Sequence, residues 1–192
     1  MKKFVLAPAL AALAMFFWGF AYWGAPHHLP YKALGQLPDE AAVAAKLGEL
    51  FPATGAYLIP HPMKGDENMV AQMKRGPTVE VHITKESLAA MNPGMMVKGY
   101  FHGFVVCVLL MVMLTGLAKA FTGWSSRVKF CAGVGLLVAM SDVGAAIWWN
   151  HALGWSLAQA FYDITAYAVA GLVLARFAGV APTQNAPDKA AP

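Results

Sequence analysis

Charge is scarce in this chain. Of its 192 residues only 14 are Lys or Arg and 10 are Asp or Glu, so charged residues make up 12% of the sequence while 58% is hydrophobic. A globular domain carries about twice that share of charge, and a disordered chain far less apolar bulk, so both classes are excluded. Cysteine is scarcer still, with two residues, Cys107 and Cys131. Two cysteines make no disulfide framework or zinc ribbon. Placed on their helices, they fall about 13 Å apart in depth and are expected to serve as packing residues rather than as a pair. The signatures of common chemistry are missing as well. No Gly-rich phosphate loop, Gly-x-Ser-x-Gly, Cys-x-x-Cys or His-Glu-x-x-His occurs, and no nucleic-acid-binding motif accompanies the basic residues. The chain is therefore read as non-enzymatic and without a nucleic-acid partner.

What is abundant is long apolar sequence. Residues 4–23, 99–117, 130–149 and 155–175 each approach the 20 residues that a bilayer core requires. The expected fold is an all-α membrane protein: four transmembrane helices with a small external α+β cap between helices 1 and 2. Residues 1–24 form a signal anchor that is the first helix, with a small-residue cleavage site at Gly19-Phe20-Ala21 as the competing possibility. Residues 25–96 form the cap, 97–178 a three-helix membrane bundle, and 179–192 an Ala- and Pro-rich disordered cytoplasmic tail.

The net charge of +4 reports orientation. The external segment is balanced, and the excess lies in Lys2, Lys3, Lys119, Arg127, Lys129 and Arg176. The positive-inside rule then puts both termini and the 118–129 loop in the cytoplasm of a bacterial inner membrane, with 25–96 periplasmic. Trp18, Trp23, Trp148, Trp149 and Trp155 fall near the opposite ends, as an interfacial belt would.

In the cap, Pro38-Asp-Glu opens a helix over 41–50, with Pro38 in its first turn. Residues 55–60 read as a strand, and Asp66 to Arg75 as a short helix stopped by Gly76. Residues 78–84 alternate, placing Val79, Val81 and Ile83 on one strand face. Thr84 is expected to cap a last short helix, stopped by Asn92-Pro-Gly before the second span.

Three groups of residues are candidates for function. The first is intramembrane polarity. Asp142 and Asp163 lie on the last two spans at one depth, roughly 10–12 Å below the same face, joined by a five-residue connection that makes their helices neighbours. Gln159, Asp163 and Tyr167 share a face at i, i+4 spacing, Ser141 adjoins Asp142, and His102 lies nearby on the second span. Carboxylates in hydrocarbon are costly, so this cluster points either to register-fixing hydrogen bonds or to proton or cation handling. The second group is small residues at i, i+4: Gly99 with Gly103, Gly135 with Ala139, and Ala166 with Ala170, which suit close helix packing. The third is thioether and imidazole in the cap. His61, Met63, Met69 and Met73 match the donor preference of copper(I), and His102 is a candidate ligand for haem b; no cofactor is otherwise expected.

These observations favour an accessory or assembly subunit of a larger membrane complex, associated with other subunits or with copies of itself. The first alternative is a small proton- or cation-coupled transport element centred on Asp142 and Asp163. The second is a periplasmic copper-binding or delivery protein.

Overall fold

The structure, a computed structural model, describes residues 2–24, 29–86 and 92–178. His27, His28, Met91, most of the short helix expected after Thr84, and the tail 179–192 lie outside the described residues. The chain is mostly helical and divides into two units, Met1–Leu34 with Pro93–Pro192, and Gly35–Asn92.

In the first unit, four helices are long and apolar enough to cross a membrane: α1 (Lys2–Gly24), α4 (Pro93–Gly116), α5 (Trp124–Trp148) and α6 (Leu153–Phe177). They make this a multi-pass membrane protein. Two, α4 and α5, start about six residues earlier than hydropathy alone suggests. Pro93 opens α4, where its missing N–H falls among groups that have no intrahelical partner in any case. α5 begins at Trp124 and so takes up Arg127 and Lys129, which the sequence reading left in a basic loop. These longer helices also correct the cysteine depths. Cys107 and Cys131 now lie about 13 Å and about 10 Å from the joined ends of α4 and α5, and both belong to one buried cluster as free thiols.

The helices pack α5 on α6, α6 on α1 and α1 on α4. Aromatic side chains bond α1 to α6: Trp18 Nε1 donates to Thr165 Oγ1 at 3.0 Å, and the Tyr22 hydroxyl donates to the Ala158 carbonyl at 2.9 Å. Trp23 meets Trp155 with ring centroids 5.5 Å apart. Thus Trp18, expected as an interfacial anchor, also acts as an interhelical donor. Arg127 is 6% exposed; its Nε donates to the Phe121 carbonyl and its Nη1 to the Ala175 carbonyl near the end of α6. A cation there satisfies terminal carbonyls and opposes the negative end of the helix dipole.

The second unit holds α2 (Glu40–Leu50), β1 (Gly55–Ile59), α3 (Asp66–Arg75) and β2 (Val79–Ile83). Asp39, not a first-turn proline, caps α2: its carboxylate accepts from the Ala42 amide, and Pro38 stays outside the helix. β1 and β2 pair antiparallel, Tyr57 opposite Val81. Val79, Val81 and Ile83 are half-buried while Glu80 and His82 are exposed, as the alternation requires. Lys85 Nζ donates to the Gly48 and Phe51 carbonyls at the end of α2, and its amide donates to Thr54 Oγ1.

Candidate intramembrane acid site

The site grows out of the α5–α6 interface. A Cβ at Gly135 would stand 2.7 Å from Tyr167 Cβ and 3.0 Å from the Asp163 carbonyl; one at Gly171 would stand 2.8 Å from Cys131 Cβ. Only glycine permits these backbone approaches. Ala139, Ala166 and Ala170 are buried and extend the close-packed stripe. Seven residues beyond Gly135, about two turns, comes Asp142, on the same face of α5.

Asp142 lies about 9 Å from the hairpin end of α5 and Asp163 about 15 Å from that end of α6, an offset of roughly one turn. Side chains lean toward their own helix N-terminus. Because the helices are antiparallel, Asp142 leans away from the hairpin and Asp163 toward it, so the offset closes. The two carboxyl groups come within reach of a side-chain hydrogen bond. Asp142 Oδ2 is buried with no hydrogen-bond partner among the described residues. A lone buried carboxylate oxygen is costly, and two carboxylates this close hold either a proton or a cation between them.

Beside Asp163 a cavity of about 580 Å³ opens between α1, α4 and α6, with Val138 of α5 also in its wall. Asp163, Tyr162 and Tyr167 face it from α6, His102 from α4, and Phe16 and Phe20 from α1. His102 therefore shares a cavity with Asp163, while Asp142 stands behind Asp163 and outside the lining. Gln159 is half-buried on the stripe of Asp163, and Ser141 is exposed on the other side of α5.

Gly99 and Gly103 both line this cavity. A Cβ at Gly99 would meet nothing within 4 Å, and one at Gly103 only Ala12 Cβ at 4.0 Å. The tight approaches to a neighbouring backbone belong instead to Gly135 and to Gly171, the latter one turn after Tyr167 and outside the small-residue spacings. Ser156 is also outside the residues that the sequence singles out. It is fully buried, its hydroxyl has no partner among the described residues, and it lies two turns before Asp163 on one face.

The copper-type donors stand apart in the second unit. His61 Nδ1 accepts from the Met63 amide, which leaves Nε2 as the ring nitrogen available to a ligand. The Met63 side chain is 88% exposed and Met73 53%, with Met69 one turn before Met73 on α3.

No family model, curated protein or solved structure matches this chain.

Proposed function

We propose that this is a bacterial inner-membrane protein, with both termini cytoplasmic and the second unit periplasmic, that exchanges a proton for a monovalent cation at the Asp142–Asp163 pair. The observation that carries this is the meeting of two acid side chains, one with an unpartnered buried oxygen, beside a cavity between helices. A proton on the pair offsets the cost of a buried charge, and a cation entering beside Asp163 replaces it. The hydrogen-bonding neighbours of an ordinary register-fixing acid are not found around Asp142 Oδ2 among the described residues.

The test uses protein reconstituted in liposomes with a trapped pH dye and an imposed gradient of a monovalent cation. Wild type is expected to move protons against that gradient, while Asp163→Asn and Asp142→Asn each abolish the flux yet elute as folded protein. Infrared spectra of the cation-free protein should show a protonated-carboxyl band that Asp163→Asn removes. Equal flux in wild type and variants would defeat the reading.

A second reading, an accessory subunit, draws on one observation. α4 and α5, at the two ends of the packing order, make no extensive interface with each other among the described residues. A partner's helix would close that side. Native mass spectrometry of the protein extracted gently from its own membrane decides it, since a lone chain contradicts a stable subunit role.

A further inference from the structure

The cavity beside Asp163 has a chemistry that narrows the cation. Its volume, about 580 Å³, falls in the range of small-molecule sites and far exceeds what a bare metal ion occupies. Among the described residues its wall contains no Lys or Arg, and Asp163 is its one carboxylate. Aromatic side chains come from three sides: Phe16 and Phe20 on α1, Tyr162 and Tyr167 on α6, with the His102 imidazole on α4. An acid at one point and aromatic or aliphatic surface around it attract a delocalised, weakly hydrated cation, through charge at the acid and through the ring quadrupoles elsewhere. A strongly hydrated ion would need several oxygen donors, and the wall offers few.

We infer that this cavity binds a lipophilic monovalent cation, an aromatic ammonium or phosphonium, with Asp163 as its counter-charge. The inference rests on the proton–cation exchange proposed above and specifies its substrate class. Binding displaces the proton held by the acid pair. The groups that titrate around Asp163 are Asp142 from α5, Tyr162 and Tyr167 from α6, and His102 from α4; α1 contributes no titratable group to the wall.

The probe is radiolabelled tetraphenylphosphonium, with the full chain in mild detergent and nonspecific uptake defined by excess unlabelled compound. Saturable binding is expected. In the range where the acid pair holds its proton, affinity should fall about tenfold for each pH unit of acidification, as one-for-one exchange requires. Asp163→Asn should abolish binding. Gly99→Phe should abolish it as well, because Gly99 lines the cavity with open space at its Cβ and a ring there fills the site. The neutral analogue tetraphenylmethane should not compete; this control keeps the test decisive even if Gly99→Phe fails to fold. Absence of saturable binding, or binding unaffected by Asp163→Asn, overturns the inference. If sodium or potassium then releases protons in an Asp163-dependent way, the exchange reading survives without the lipophilic substrate. If no cation releases protons, both fall.

Discussion

Replacing Gly135 by alanine tests whether the α5–α6 interface positions the acids. The new Cβ would lie 2.7 Å from Tyr167 Cβ, 3.0 Å from the Asp163 carbonyl oxygen and 3.1 Å from Ile164 Cα. Two of these are backbone atoms, which cannot rotate away. Ordinary contact begins at 3.4 Å, so the helices must separate by about 0.7 Å at this point (3.4 − 2.7). Overpacking of that kind costs about 1–3 kcal/mol, offset by the roughly 0.5–1 kcal/mol that alanine gains over glycine within a helix. The net expectation is a loss of roughly 0–2.5 kcal/mol. Gly133 and Gly144 on the same helix provide the control, since a Cβ at either meets nothing within 4 Å. There alanine should stabilise by roughly 0.5–1 kcal/mol. Unfolding in mixed micelles titrated with sodium dodecyl sulfate, followed by circular dichroism, measures all three variants. Gly135→Ala should also diminish the protonated-carboxyl infrared band, because the separation occurs at Asp163. A Gly135→Ala protein as stable as Gly133→Ala would refute the packing argument and the placement of the acids that depends on it.

Further predictions concern the ends of the helices. Arg127→Ala strips the Phe121 and Ala175 carbonyls of their donor and should cost about 1–3 kcal/mol in the same assay, with Arg127→Lys recovering part of it; no change would show that the buried guanidinium is incidental. In the second unit, Lys85→Met should speed amide exchange at Phe51, whose N–H donates to the Leu47 carbonyl and closes the last turn of α2, and unchanged protection would count against the Lys85 cap. The Thr54 hydroxyl donates to Glu86 Oε2 at 2.8 Å and holds the Glu86 pKa below the usual glutamate value. A depressed folded value means that the contribution is complete above the unfolded value and is lost as pH falls through the folded one. Protection of the Lys85 amide should therefore decline below about pH 4, and Glu86→Gln, which leaves the Thr54 hydroxyl in place, should remove that pH dependence. A profile identical in wild type and Glu86→Gln would exclude Glu86 as its source.

Much of this molecule follows from local sequence. Runs of apolar residues near the bilayer length define four helices because a backbone in hydrocarbon must satisfy its own hydrogen bonds. Asp66-Glu67 at one end and Lys74-Arg75-Gly76 at the other bound α3 at the expected residues, since those charges oppose the helix dipole and glycine ends the turn. The alternation of Val79, Val81 and Ile83 sets the half-buried face of β2 through the two-residue period of the strand. The candidate acids were also legible, as charges that have no place in lipid without a purpose.

Which helix faces meet was not legible. In a soluble helix the apolar stripe points to the core, but a membrane helix is apolar toward lipid and protein alike, so composition carries no inside or outside. Gly99 and Gly135 look equivalent in the sequence, yet one borders a cavity and the other admits a neighbouring backbone. Arg127 reads as a loop charge until α6 brings the Ala175 carbonyl to it. Asp142 and Asp163 become a pair only through two nonlocal facts: the crossing fixed at Gly135, and the opposite lean of side chains on antiparallel helices. The sequence by itself determined that buried acids exist and on which helices. Tertiary packing alone decided that they face each other, because depth is counted along one chain while orientation is set between two.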